Sequence, residues 1–353
     1  MGSGKSRATI EGSQVRQATP GEHPSRPPTD VENPKVLFLL GKGRAGGTLL
    51  NNVLGQLEGF TAPGELPRLW TWGLTEGWLC GCGRPVRDCP YWKPIVDRVL
   101  ADSQGVSPAE VTRWQNELLT WRKVPRLLLK SPDSLEEWPT LASYVGVMGN
   151  LYRAIARATG ARVIVESTRW PTAPSILGLV PGMDVRVLHL VRDPRAVIYS
   201  WKRRKALVDR PGNPEMQRFG ATYTMVSWWA RSFLAELVSR RWGRERAMLL
   251  RYEDFIADPN RNLETILSFV GEPKQNLGFV SDGFVQLDTT HTVGGNPDRL
   301  RSGRVELRLD DAWVQGQALA DRLIGTVLAT PYLRRYGYPF FPKRASWPDD
   351  GGT

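Results

Sequence analysis

Two kinds of hydrophobic pattern alternate along this chain. The first is a set of short, nearly unbroken apolar runs: Val36 to Leu40, Ala161 to Val165, Val185 to Val191 and Met248 to Tyr252. Such runs suit strands covered on both faces, as in a parallel sheet. The second is apolar recurrence at helical spacing. Leu49, Leu50, Val53, Leu54 and Leu57 form one stripe, with Gly59 as a stop. Residues 95 to about 158 are mostly helical by the same criterion, through Val111, Trp114, Leu118, Leu119 and Trp121 and then Leu141, Tyr144, Val145, Met148, Leu151, Tyr152 and Ile155. A short strand is expected near residue 60, and a short helix from about 172. A long helix is expected over about 215–241, with Trp228, Trp229, Phe233 and Leu237 inward. Asp258-Pro259 opens another helix, residues 284–312 read as loop, and a last helix covers about 315–329. Strands alternating with helices predict one α/β domain with helices on both faces of the sheet. It is bounded at about 35–343 by a polar tail over 1–34 and a flexible one over 344–353.

The first strand runs into Gly41-Lys42-Gly43-Arg44-Ala45-Gly46-Gly47-Thr48 and then a helix. Strand, glycine-rich turn and helix aim backbone N–H groups and a helix N-terminus at an anion. Gly41, Gly46 and Thr48 have P-loop spacing, but the position of the P-loop lysine is Gly47, so nucleoside triphosphate hydrolysis is poorly supported. Gly2-Ser3-Gly4-Lys5-Ser6 imitates the end of a P-loop but lacks a preceding strand and an upstream glycine.

Charge changes the picture more than composition does. The net charge is +11 with a pI near 9.8, which implies anionic partners. The basic residues gather near predicted loops, notably Arg192, Arg195 and Lys202 to Lys205, and not in one long run. No nucleic-acid-binding signature occurs, so a small polyanionic cosubstrate is the preferred partner over nucleic acid. No apolar run approaches the roughly 20 residues of a membrane span, and the N-terminus lacks an apolar signal core. A cytoplasmic protein is the default.

Polar residues at the C-terminal ends of the expected strands are the candidate chemistry, because ligands of parallel α/β sheets bind there. Glu166-Ser167-Thr168-Arg169 ends one strand. Arg192-Asp193-Pro194 ends another, with Ser200 two turns into the following helix. Glu65 falls in a proline-flanked loop, where functional side chains are often displayed. Trp70, Trp72 and Trp78 cluster beyond it, read as packing ahead of an acceptor wall. The chain's 3 cysteines are Cys80, Cys82 and Cys89. They would need a fourth ligand from elsewhere to hold zinc, and no paired CxxC spacing is present. Buried thiols or a reversible bridge are the preferred reading.

Gly43 to Leu50 resembles the phosphosulfate loop, Arg-Ser-Gly-Thr-Thr-Leu, of PAPS-dependent sulfotransferases. Leu190 to Val197 with Ser200 resembles their 3′-phosphate motif, and Val163 to Arg169 the strand ending in Asp-Ser-Ser-Lys. The cysteine block and the His291 to Arg299 block also look like members of this family, over roughly residues 35 to 342. The resemblance implies a three-layer P-loop-like fold with a central parallel sheet of about five strands. It implies sulfuryl transfer from 3′-phosphoadenosine 5′-phosphosulfate (PAPS), with PAP as product, to a hydroxyl or amine of a small-molecule, glycan or lipid acceptor. No metal is required. It further implies that Lys42, Gly43, Arg44, Ala45, Gly46, Gly47, Thr48 and Leu49 hold the phosphosulfate, with Arg44 as the cation near the bridging oxygen. Arg192 and Ser200, completed by Arg299 or Arg301, would hold the 3′-phosphate. Glu65 would be the base and Arg169 a supporting cation, with His189 and His291 as rival bases and Trp70 and Trp201 facing the acceptor; His189 lies inside an expected strand, so a core histidine is its preferred reading. Ala45 and Gly47 depart from the loop's serine and threonine, so side-chain contacts to phosphosulfate are lost there. The alternatives are a nucleotide kinase and a non-catalytic nucleotide binder on the same fold.

Overall fold

A computed structural model describes residues 33–342, apart from 211 and 213. The expected tails lie outside the described residues, save Asn33 and Pro34, as does the Gly2 to Ser6 run. Among the described residues there are eight strands: β1 Lys35–Leu40, β2 Phe60–Gly64, β3 Val163–Glu166, β4 Asp184–Val191, β5 Ala247–Arg251, β6 Val280–Ser281, β7 Phe284–Leu287 and β8 Gly303–Glu306. The helices are α1 Gly47–Leu54, α2 Trp92–Asp102, α3 Pro108–Leu118, α4 Val124–Leu128, α5 Pro139–Thr159, α6 Thr172–Leu177, α7 Pro194–Lys202, α8 Ala221–Trp242, α9 Tyr252–Ala257, α10 Pro259–Val270, α11 Trp313–Gly316 and α12 Leu319–Arg335.

The main sheet has the order β2-β3-β1-β4-β5, with every pairing parallel. β1 lies in the middle, and its residues divide between two cores. Val36, Phe38 and Leu40 pack with α2, α3 and α5 on one face. Leu37 and Leu39 pack with α1, α9 and α10 on the other. This two-sided burial is why the run from Val36 to Leu40 carries no polar alternation. A third cluster joins Val197 and Ile198 of α7, Met225 and Trp228 of α8, and Tyr332 and Leu333 of α12.

Four expectations about elements are corrected. Residues 284–312 are not all loop: β7 pairs with β6 and β8 in a small antiparallel sheet. Strands of two to four residues are too short to display a period. α8 starts at Ala221, not 215, because Gly220 is extended (φ −68°, ψ 164°). Of the four α8 residues expected inward only Trp228 is fully so: Leu237 is half-buried, while Trp229 and Phe233 stack on each other on the exposed side, 5.6 Å apart. The last helix begins at Leu319, and the turn at Trp313 is a separate element.

Candidate functional site

The C-terminal ends of β1, β3 and β4 open into one cavity of about 1090 Å³. Twelve of its lining side chains are Lys or Arg and five are Asp or Glu. Sheet order explains the place: the chain leaves β1 between β3 and β4, and the crevice at that switch point is where parallel sheets bind ligands.

The glycine loop forms the floor, and the structure states why particular glycines are there. Gly41 (φ +148°) passes so close to β4 that a Cβ would lie 2.2 Å from the Leu190 carbonyl oxygen. Gly46 (φ +91°) is the N-cap of α1, and a Cβ there would lie 2.1 Å from the Tyr252 ring. At Gly43 a Cβ would come within 2.5 Å of the Arg169 guanidinium. Gly47 has no such constraint, since its nearest neighbour would be Leu190 Cδ2 at 4.0 Å. Arg44 adopts φ 77°, unusual for a side chain-bearing residue. Its guanidinium lies over the Trp201 ring (5.2 Å) and reaches Met216 Sδ (2.6 Å). Trp201 in turn donates its indole N–H to the Gly43 carbonyl (3.1 Å).

Lys42 is buried, with Nζ 2.9 Å from Ser227 Oγ and 5.1 Å from the Trp201 ring centre. Burial, then the nearby Arg231 and Arg169, push its ammonium down to about 7. Burial and the neighbouring Arg169 also lower Arg44, to about 10. Both depressions come first from burial and then from the cations crowded around the loop.

Arg192 ends β4. It donates to the Arg44 carbonyl (3.2 Å) and to the Asp310 carbonyl (3.1 Å), and lies over the Tyr252 ring at 4.9 Å. The Asp310 carboxylate stands 3.5 Å from it and pairs with both terminal nitrogens of Arg203. Arg192 Nε and Arg44 Nε are both buried with no hydrogen-bond partner. Two orphaned guanidinium donors in one cationic cavity fit an anionic ligand. Ser200 and Arg301 also line the cavity, and Arg301 pairs with Asp298 at 3.3 Å.

Glu65 follows β2 and is buried, pinned by Arg169 (2.5 Å) and by Arg68 (3.8 Å). Its position is fixed by two backbone bonds to a distant loop: Glu65 N–H to the Val293 carbonyl (2.8 Å) and Val293 N–H to the Pro63 carbonyl (2.8 Å). Glu166, fully buried at the end of β3, anchors the other side. It accepts from Leu66 N–H (3.1 Å), Thr168 N–H (2.9 Å), the Tyr152 hydroxyl (2.9 Å) and the Thr168 hydroxyl. Burial pushes its carboxyl up to about 8 against those donors. Arg169 thus stands between the glycine loop and Glu65.

Several expectations fail here. Arg299 does not line the cavity. Its guanidinium is buried against Asp209 (3.0 Å) and donates to the carbonyls of Leu79 (2.7 Å) and Thr292 (3.2 Å), which makes it a fastener of loops. Trp70 is wholly buried in the core and cannot face an acceptor. Trp72 takes the wall instead, stacked on Trp78 at 4.0 Å and capped by Arg68 and Arg210. His189 is a core residue, in line with its preferred reading, with an unpartnered Nε2 that burial holds down to about 4, so only its rival role as a base is lost. His291 sits against the cysteines, away from the cavity.

Sequence reasoning missed Arg231, which donates to the Arg169 carbonyl (2.7 Å) and stacks on Trp170 (5.3 Å) from α8. Its signal was a lone arginine inside the apolar stretch Trp228 to Phe233. Ser227 and Tyr252 carried no signal, since only packing brings them to the loop.

Comparison with known proteins bears on this site. Mouse carbohydrate sulfotransferase 1 is 25% identical over 156 residues, 40% of this chain and 37% of the relative. Mouse carbohydrate sulfotransferase 3 is 35% identical over 107 residues, 26% of this chain and 22% of the relative. The matched stretches therefore span about a third of those relatives' length or less. Among solved structures, the sulfotransferase domain of the Synechococcus PCC 7002 olefin synthase aligns with a TM-score of 0.49 at 21% identity, covering 86% of this chain and 96% of that domain. A family model described as the sulfotransferase family matches residues 34–276. That match takes in β1 to β5, the glycine loop, Glu65, Arg169 and Arg192, well over half of the chain's 353 residues; the chain belongs to the sulfotransferase family.

Proposed function

We propose that the cavity binds PAPS and that the chain transfers its sulfuryl group to an acceptor hydroxyl or amine. The observation that carries this reading is the joining of the glycine loop and Arg192 in one cationic cavity, with buried guanidinium donors left unpartnered. Backbone N–H groups of Ala45 to Thr48 and the start of α1 would take the 5′-phosphosulfate. Arg192 and Ser200 would take the 3′-phosphate, and Arg301 supplies further positive charge at the rim. With Arg299 committed to Asp209, it has no part in the donor site.

In-line transfer breaks the bond between sulfur and the oxygen bridging to phosphorus, and forms a bond from sulfur to the acceptor oxygen. Negative charge grows on the bridging oxygen. Arg44, supported by Arg169 and Lys42, answers that charge in a site already dense with cations. The acceptor proton passes to a Glu65 carboxylate oxygen. The 2.5 Å pair with Arg169 holds that carboxylate beside the loop. Trp72 and Trp201 stand in the cavity wall, and the carbohydrate sulfotransferase relatives favour a glycan over a lipid or other small-molecule acceptor.

The test is thermal stabilisation of the chain by adenosine 3′,5′-bisphosphate compared with ATP, followed by transfer from labelled PAPS to a panel of glycans. Stabilisation by the bisphosphate alone, with sulfation lost in Arg44→Ala and Arg192→Ala, is expected. Equal stabilisation by ATP with magnesium-dependent turnover would favour a kinase, and bisphosphate binding without transfer to any acceptor a non-catalytic binder.

A further inference from the structure

Cys80, Cys82, Cys89 and His291 come from segments 200 residues apart in sequence, yet their ligand atoms all lie within 4.8 Å of one another. Cys80 Sγ and Cys89 Sγ are 3.6 Å apart, and Cys82 Sγ and Cys89 Sγ 3.7 Å. His291 Nδ1 is 3.6 Å from Cys80 Sγ and 3.3 Å from Cys89 Sγ. Zinc bonds of about 2.3 Å to sulfur and 2.0–2.1 Å to nitrogen, at tetrahedral angles, give edges of about 3.8 Å between sulfurs and about 3.6 Å from sulfur to nitrogen. The four measured separations match those edges to within a few tenths of an ångström. They are far from the roughly 2.05 Å of a disulfide, and the three thiols are free. The missing fourth ligand of the sequence reading is His291, brought in by the fold.

We propose that these four side chains bind one zinc ion. Three thiolates and an imidazole complete a tetrahedron and leave no open position, which marks a structural site and not a catalytic one. The donors are too close together to enclose an iron–sulfur cluster, and soft sulfur ligands select zinc over magnesium, calcium or manganese. The surroundings hold the ligands in place. Cys80 N–H donates to the Arg84 carbonyl (2.7 Å) and Gly83 N–H to the Cys80 carbonyl (2.9 Å), closing a tight turn at Gly83, φ +80°. The His291 ring stacks on Tyr91 at 4.6 Å, and its carbonyl accepts from the Trp92 indole (2.8 Å). Cys82 is half-buried, so the ion has a route in.

The consequence reaches the candidate site. His291 is two residues from Val293, the backbone partner of Glu65, and the same loop continues to Asn296 and Asp298 at the cavity wall. The metal would rivet this loop to the turn before α2 and so fix where Glu65 stands. The binding claim itself does not depend on the donor assignment.

The test is metal analysis of the full chain, purified without chelator. About one equivalent of zinc is expected, with the three thiols unreactive until a mercurial releases it and the melting temperature falling with release. Replacement by cobalt should give the intense visible bands of a tetrahedral thiolate site. His291→Cys should keep the metal but change the cobalt spectrum toward a four-thiolate one, whereas Cys89→Ser should lose it. The His291 variant guards against simple misfolding of the cysteine variant. A metal-free protein with three reactive thiols, or a Cys82–Cys89 disulfide, would overturn the proposal.

Discussion

Two adjacent glycines in the loop should respond oppositely to the same substitution. In Gly46→Ala the new Cβ would stand 2.1 Å and 2.5 Å from two carbons of the Tyr252 ring, on a backbone with φ +91°. Left-handed backbone costs a non-glycine residue about 1–2 kcal/mol. Tyr252 is buried, so its ring has to be forced aside, an overpacking cost of about 1–3 kcal/mol. The sum is about 2–5 kcal/mol, a fall in melting temperature of roughly 3–8 °C for a domain of this size. The ring that must move also lies 4.9 Å under Arg192, so affinity for adenosine 3′,5′-bisphosphate should drop by about tenfold or more. In Gly47→Ala the nearest atom would be 4.0 Å away and φ is ordinary. Position 47 is also the first residue of α1, so alanine should gain about 0.4–1 kcal/mol by restricting the unfolded chain. Differential scanning fluorimetry and calorimetric titration read both quantities. Equal melting temperatures and equal affinities in the two variants would refute the account of the loop.

Four further outcomes follow from the site. Lys42 is charged below about 7 in the free protein, and an anion binds the charged form. Affinity for the bisphosphate should therefore fall as pH rises from 7 toward 9, by up to about tenfold per unit, and Lys42→Met should flatten that profile. Arg192→Ala should weaken bisphosphate binding by about a hundredfold, and Arg192→Lys should restore only part of it, since lysine lacks the fork that spans two acceptors; titration calorimetry checks both. Arg299→Ala breaks a pair whose members are 1% and 0% exposed and should cost about 3–5 kcal/mol in urea denaturation, while bisphosphate affinity of the folded fraction stays unchanged. Glu166→Ala strips the acceptor from Leu66 N–H, Thr168 N–H and the Tyr152 hydroxyl. At about 1–3 kcal/mol per buried orphan, a loss of at least about 3 kcal/mol is expected in the same assay.

The sheet was legible because its signal is local. Runs such as Val36 to Leu40, closed by a glycine turn, suit strands between two cores, and β1 does divide its side chains between them. The glycine loop and Arg192 were legible for a similar reason: both sit where a strand ends, and backbone geometry dictates their residue types. Arg299 looked equivalent to Arg301 along the chain. The difference is Asp209, some 90 residues away, which captures one and not the other. Trp70 and Trp72 likewise differ by two positions and yet by full burial against a place on the wall, because a single π-helical turn over Leu69–Thr75 orients them. Asp310, Arg231 and Ser227 reach the loop only through tertiary packing. No spacing in the chain encodes that.

β1 stands between β3 and β4, and this has a consequence for how such a protein can change. The glycine loop, Arg169 and Arg192 leave three neighbouring strands whose register is locked by backbone pairing, Phe38 opposite both Glu166 and Val187. Spacing among these groups is therefore set by the sheet and is indifferent to side-chain drift elsewhere. The walls that would meet an acceptor come from segments outside the sheet, around residues 65–72, 203–219 and 295–310. Rewriting parts of those segments leaves the three strand ends where they are, so the walls can vary while the frame of the proposed donor seat is inherited.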